Sequence, residues 1–600
     1  MTITSSLPHW DMTVVYPGLE SPEFVQDFAN VVHAIEDLTY LFDRHQVMEQ
    51  PALIVDDALI HSFETVIERY NAVLDHTKLL SAYITCFVRT NSHDDIAQAR
   101  MSELQQSLVH LSHLGTRFTA WLGSLDMDTL IEYSQVARDH AYALRRARVQ
   151  ATHLMSPAEE ALATELNVSS GTAWAKLHNN ITSQLAVPLE LDGQIQELPM
   201  SVIRNMAYDA SRTARQQAYE AELAGWERVA VPLAAALNSI KGEINTLTVR
   251  RRWASPLETA LFIDSIDQQT LDAMMTAARA AFPDFRRYLH AKARTLALPR
   301  LAWYDLFAPI SANNKIWTFD EAALFITEQF GTYSSRLSAF AARAFREHWI
   351  DAEPRPGKRD GAFCISLRKD ESRVFTNYKP GFGGVSTLAH ELGHGYHNIN
   401  LAERTPLQRT HPMTLAETAS IFCETIIRQA ALQKADQAEQ IAILEASLQG
   451  ACQVVVDITS RFLFEERLSA RRKQRELSID ELKHLMLEAQ YETYGDGLEE
   501  STLHPYMWAV KPHYYSTGRW FYNYPYMFGQ LFGLGLYARY QQDSEAFKQG
   551  YDELLSSTGM ADAATLAARF NIDLHAEAFW TASLDIIRND IERFETLITE

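Results

Sequence analysis

The sequence predicts a mainly α protein on three observations: apolar residues recur at three- and four-residue spacing along most of the chain, helix-start signatures precede several of these runs, and extended character is confined to two short stretches. The periodicity is plain in Leu104, Leu108, Leu111 and Leu114, and again in Leu271, Met274, Met275 and Ala278. The starts are plain in Ser156-Pro157-Ala158-Glu159, Thr318-Phe319-Asp320-Glu321 and Ser478-Ile479-Asp480-Glu481. Each places a hydroxyl three residues before a glutamate, the spacing of a capping box. The first extended stretch, Leu185 to Val202, surrounds Asp192-Gly193, a dipeptide that favours a tight hairpin, and it marks a joint that divides the chain into residues 1–200 and 201–600. The second reads as two strands, Ala362 to Leu367 and Arg373 to Tyr378, closed by the charged turn Arg368 to Glu371. No repeat of fixed period is present, which argues against a solenoid.

Composition narrows the class. Hydrophobic residues make up 47% and charged residues 22%, an ordinary globular balance, and 600 residues exceed what one core usually serves. The formal charge of −22 comes from scattered acids, 76 against 54 basic residues. That balance excludes nucleic acid and anionic membrane as expected partners, because both require basic patches. Cys86, Cys364, Cys423 and Cys452 lie far apart, so neither a disulfide framework nor a thiolate zinc site is expected. The first residues lack the basic and apolar regions of a secretory signal, and the expected location is the cytoplasm. Trp520 to Ala538 is free of charge, yet Asn523, Pro525, Gln530, three glycines and four tyrosines interrupt it. It reads as a buried aromatic wall rather than a membrane span.

The chemistry is concentrated after the glycine-bearing loop 381–384, where Ser386 or Thr387 is placed to cap a new helix. That helix carries His390-Glu391-Leu392-Gly393-His394. Histidines at i and i+4 stack their side chains on one helical face, so two imidazoles converge on one tetrahedral ion, and Glu391 beside them acts as general base. A catalytic zinc needs a third protein ligand, and the metzincin continuation fails because Asn400 stands where a histidine is required. A glutamate is the alternative. Thr414-Leu415-Ala416-Glu417 is expected to open a following helix, with Glu417 as ligand or merely as a capping-box residue, and with Glu424 seven residues on as the competing ligand or an orienting carboxylate. His397 reads as a hydrogen-bonded helix histidine.

These motifs resemble the thimet oligopeptidase and oligoendopeptidase F group of zinc metallopeptidases, especially its oligoendopeptidase F branch. The likeness extends to Trp10-Asp11-Met12, Tyr16-Pro17 and Ser21-Pro22-Glu23-Phe24, then to Asp305 to Pro309, Gly357 to Phe363, Thr387 to His397 and Leu415 to Ser420. It implies one zinc ion per chain held by His390, His394 and Glu417, with Glu424 orienting a ligand. Pro512-His513-Tyr514-Tyr515 and Phe521-Tyr522-Asn523-Tyr524 look like the family's histidine- and tyrosine-rich segment. The resemblance implies that donors here bind the oxygen of the tetrahedral intermediate, and His513, Tyr515, Tyr522 and Tyr524 are the candidates. It further implies two helical lobes enclosing a deep substrate channel.

The expected function is therefore zinc-dependent hydrolysis of internal bonds in short unstructured peptides. The rivals are an exopeptidase or carboxypeptidase built on the same zinc residues, and a non-enzymatic helical binding protein, which predicts a damaged catalytic position that the sequence does not show.

Overall fold

The computed structural model describes residues 7–191, 193–310 and 315–599. Helix dominates, as the periodicity predicts. The elements that bear on function are, in chain order, α1 Pro22–Arg44, α2 Asp57–Thr90, α3 Asp95–Gly123, β1 Ala186–Leu191, β2 Gln194–Pro199, α4 Arg212–Arg250, α5 Gln268–Ala280, β3 Ile350–Asp351, β4 Phe363–Arg368, β5 Glu371–Phe375, α6 Phe382–Asn400, α7 Met413–Ala416, α8 Thr418–Lys434, α9 Gln437–Cys452, α10 Ile458–Arg472 and α11 Tyr524–Gln542. All three sequence-predicted capping boxes form, at Ser156, Thr318 and Ser478. The chain builds two compact units, each from three separated stretches: Met1–Leu154 with Lys315–Ala430 and Arg539–Asn571, and Met155–Asn314 with Ala431–Ala538 and Ile572–Glu600.

In the first unit α1, α2 and α3 start at Ser21, Asp56 and Asp94, whose side chains each accept a first-turn N–H. Their inward faces bury Leu38, Phe42, Phe63, Ile67, Tyr83 and Trp121. Each such side chain stabilises the unit by roughly 1.5–3 kcal/mol relative to exposure. Leu367 of β4 belongs to the same cluster, so this core supports the sheet beside the candidate site. That sheet has the order β3-β5-β4, with β3 parallel and β4 antiparallel to β5, and β4 is therefore an edge strand. The two-residue strand β3 is too short for a sequence pattern. Lys358 fastens the loop before β4: its ammonium pairs with Asp351 at 2.6 Å and donates to the carbonyls of Asp351, Glu353 and Thr376. The Gly357 to Phe363 motif thus anchors the sheet.

In the second unit β1 and β2 pair antiparallel as the expected hairpin, with Gly193 at φ 77°, while Asp192 of that turn lies outside the described residues. Leu271, Met274, Met275 and Ala278 of α5 are all buried. Asp305 of the Asp305 to Pro309 motif is fully buried and accepts from Arg215 at 2.9 Å and Arg212 at 3.0 Å, which ties it to the start of α4. A π turn, Gln453–Asp457, joins α9 to α10. The continuous helix Gln437–Arg472 is long and apolar enough to cross a membrane by length and composition, and 56% of its most apolar window is buried inside the protein. In α11 Phe528, Leu531 and Phe532 are fully buried.

Candidate metal centre

The helix that carries the two histidines starts earlier than the sequence suggests. Its N-cap is Gly381, so Gly383 and Gly384 form the first turn and neither Ser386 nor Thr387 is a cap. The physical reason is the tightness of the entry: a Cβ on Gly384 would stand 2.3 Å from the Lys379 carbonyl oxygen. Ser386 is thereby released for another partner. Further along, a Cβ on Gly393 would stand 2.6 Å from Ser420 Cα and 2.7 Å from the Ala419 carbonyl oxygen, so glycine here lets α6 and the start of α8 meet backbone to backbone. The expected helix from Thr414 through Glu417 is broken. Thr414 lies inside the short α7, whose N-cap is Pro412; Glu417 is its C-cap, and α8 begins at Thr418. Glu417 does not act as the capping-box glutamate of a helix begun by Thr414.

Its carboxylate faces the histidines instead. Glu417 Oε2 lies 3.2 Å from His390 Nε2 and 3.4 Å from His394 Nε2, and Ser420 Oγ donates to it at 2.7 Å. One ligand atom from each of His390, His394 and Glu417 falls within 4.8 Å of the others, the convergence a tetrahedral ion requires. Glu424 takes the far side of the first ring: its Oε2 is 3.1 Å from His390 Nδ1, and Ser386 Oγ donates to its Oε1 at 2.8 Å. Glu424 thus meets the ring nitrogen opposite the one that faces Glu417. Glu391 is buried, and its Oε2 has no hydrogen-bond partner among the described residues.

The electrostatics fit a cation. Burial depresses the His390 imidazole, but hydrogen bonds to Glu417 and Glu424 outweigh burial and hold it well above its ordinary value. Burial also opposes ionisation of Glu417, yet the His390 hydrogen bond and the two imidazoles hold it at about 2. Burial drops His394 to about 4, which leaves its lone pair available. Glu391 is pushed up to about 7 by burial, with Glu417 and Glu424 adding and His390 opposing. Without metal, then, a proton on His390 supplies the positive charge that the carboxylates demand. Metal uptake must displace that proton, so affinity should rise with pH until His390 deprotonates on its own. Calorimetry of zinc uptake by chelator-treated protein in buffers of different ionisation heat should show about one proton released per ion near pH 8, where Glu391 is already ionised. No buffer dependence would contradict this charge balance.

His397, buried, bonds Thr558 Oγ1 at 2.8 Å and stacks on His411, in keeping with a structural histidine. In the second unit, the histidine- and tyrosine-rich segment separates into two pairs. His513 stacks on Tyr522 with ring centres 4.5 Å apart, and burial, Arg461 and Lys511 lower its pKa, so it presents a neutral imidazole N–H. Tyr522 is half-buried, and its hydroxyl lies 3.4 Å from that of Tyr526, a neighbour the sequence motif does not single out. The other two candidates have committed hydroxyls. Tyr515 stacks on His178 and donates to the Leu233 carbonyl at 3.4 Å, while Tyr524 donates to buried Asp264 at 2.8 Å.

Comparison with known proteins points to a peptidase. The Oligoendopeptidase F homolog of Lactococcus lactis subsp. lactis is 24% identical over 487 residues, 80% of this chain and 79% of that protein. Group B oligopeptidase PepB of Streptococcus agalactiae is 22% identical over 587 residues, 94% of this chain and 97% of that one. A crystal structure from Chlamydophila abortus, assigned as a peptidase, superposes with a TM-score of 0.82 at 19% identity over 98% of both chains, which shows a shared fold. The Oligopeptidase F family model matches residues 121–186, and the Peptidase family M3 model matches residues 205–586, more than half of the chain. The chain belongs to Peptidase family M3, in its oligopeptidase F branch.

Proposed function

We propose that this peptidase is a zinc-dependent endopeptidase that cleaves internal bonds of short unstructured peptides, with one ion held by His390, His394 and Glu417. The observation that carries the proposal is the convergence of those three ligand atoms within 4.8 Å, beside Glu391, whose buried Oε2 has no hydrogen-bond partner among the described residues. When bound, the ion supplies Lewis acidity toward a peptide carbonyl and toward water. Glu391 takes the proton from the attacking water and later passes it to the leaving amine; its environment favours both states near neutrality. Glu424 and Ser386 hold the His390 ring. His513 and Tyr522, in the second unit, carry the donor chemistry that a developing negative oxygen calls for, a neutral imidazole N–H and a phenol O–H. Tyr515 and Tyr524 serve the segment's packing in this conformation.

Substrate recognition follows from the edge of β4 that no other strand of the sheet pairs with. An extended peptide can add to it as a further strand, and only unfolded backbone can do so, which is why short unstructured peptides are the proposed substrates. Proline at Cys364 and at Ile365 separates the two sides of the strand, since neighbouring N–H groups point in opposite directions. The substitution that removes the outward N–H should raise KM by roughly 3- to 10-fold with little change in stability, as expected for one lost hydrogen bond. The other should break pairing with β5 and lower Tm. Unchanged KM in both would end the added-strand reading.

The decisive test is a peptide library blocked at both ends, assayed alongside metal content by elemental analysis. Internal cleavage by protein carrying one zinc per chain supports the proposal, whereas cleavage only of unblocked ends indicates the exopeptidase alternative. The division at residue 200 is also proposed, supported by family models that end at 186 and resume at 205. Cytoplasmic residence is proposed from four free cysteines, three of them buried.

A further inference from the structure

The chain carries a formal charge of −22, yet one cleft of the first unit is lined by more cations than acids. It holds about 440 Å³ and lies between α2, the end of β4 with its turn, and residues 402–409, which continue the chain beyond α6. Lys78, Arg368, Lys369, Arg404 and Arg409 line it, against Asp75 and Glu403. All seven belong to the first unit. None is a ligand of the candidate metal centre, and none has a part in the proposed hydrolysis.

Three of the five cations are matched. Arg409 pairs with Asp75, Lys369 with Glu403 at 2.8 Å, and Arg368 with Glu371 across the turn. The other two are not. Lys78 has no hydrogen-bond or ion-pair partner among the described residues. Arg404 donates only to the carbonyl and the hydroxyl of Ser556, at 2.9 and 3.5 Å, and both acceptors are neutral. Lys78 is accessible to solvent, yet the protein around it desolvates its ammonium enough to lower its pKa. Two cations without counter-charge in one recess focus a positive potential there, which an anion from solution would neutralise.

The unmatched charge sets the class of that anion. A phosphate group carries about −1.5 to −2 near neutrality and three acceptor oxygens, so one phosphate balances one lysine and one arginine. A single carboxylate would leave one cation unmatched. The fixed fork of an arginine and the rotatable donors of a lysine both suit phosphate oxygens. We propose that this cleft is a binding site for a small phosphate-bearing anion, held by Lys78 of α2 and Arg404 of the loop beyond α6. Bound there, the anion ties α2 to residues 402–409, part of the segment that runs from the metal helix to Glu417.

Calorimetric titration of the metal-loaded enzyme with inorganic phosphate at pH 8, against sodium chloride of equal ionic strength, tests the site. Wild type should show saturable uptake at Lys78 and Arg404 with a Kd on the order of 0.1–1 mM, the strength of two or three charge-assisted hydrogen bonds. Lys78→Met and Arg404→Gln should each weaken it about 10-fold or more, while Lys78→Arg should hold it within about threefold. Phosphate that adds to the metal instead would bind all four proteins alike. Equal affinity in wild type and both charge-removing variants, or no saturable uptake below about 20 mM, overturns the site. Glycerol 3-phosphate as a second probe distinguishes the source: affinity equal to that of phosphate marks a site for the free ion, and tighter binding marks a site for a phosphate ester. Should Arg404→Gln not fold, hydrogen exchange of the wild-type enzyme decides, since phosphate should slow the amides of residues 402–409 and an unchanged rate there refutes the proposal.

Discussion

Glu417→Ala is expected to leave the protein folded but to cut metal affinity so far that it purifies essentially without zinc and without measurable turnover. The carboxylate is the one anionic member of the three converging ligands, and its Oε2 lies 3.2 and 3.4 Å from the two imidazole nitrogens. Alanine leaves two histidines, one of which remains paired with Glu424. Glu424→Ala should behave differently. It removes a partner that orients His390, and loss of such a partner typically costs about 10- to 100-fold in affinity, so zinc should still bind at micromolar supply. Metal titration against a chromogenic chelator measures both. Stoichiometric zinc in Glu417→Ala together with its loss in Glu424→Ala would exchange the two roles.

The helical class and the beginnings of several helices were legible because their causes are local. A capping box needs only four residues, and those at Ser156, Thr318 and Ser478 form as spaced. The hairpin before the metal helix was legible from its charged turn, and β4 and β5 pair across it. The pair of histidines follows from helical geometry alone. What the sequence concealed depends on distant partners. Glycines at 383 and 384 read as loop, yet they are the first turn of α6 because the Lys379 carbonyl occupies the space of a side chain. The break at Glu417 goes with the backbone contact of Gly393 with Ser420. The tyrosines could not be ranked by spacing, since what distinguishes them is Leu233 and Asp264, more than 200 residues earlier in the chain.

Glu391→Gln is expected to bind zinc normally and to lose roughly 10³-fold in kcat, within the range assigned to a positioned general base. The argument starts from shape. Glutamine fills nearly the same volume, and the Oε2 it replaces has no hydrogen-bond partner among the described residues, so the metal site should persist. What it removes is the ability to accept a proton, and among the described residues of the helix no other carboxylate stands between His390 and His394. The same substitution should stabilise the metal-free protein, which gives an independent reading of the site. Burial raises Glu391 to about 7 from an ordinary value of 4.5. A raised carboxyl costs nothing below about pH 4.5, where folded and unfolded chains are both protonated; the cost grows as pH rises, and is complete above pH 7. Its size is on the order of 3 kcal/mol. Chelator-treated Glu391→Gln should therefore melt at a higher temperature than wild type at pH 8, and the gap should close as pH falls toward 4.5. Full activity in the variant would place the base elsewhere, whereas inactivity with lost zinc would make Glu391 part of the metal site rather than the group that moves the proton.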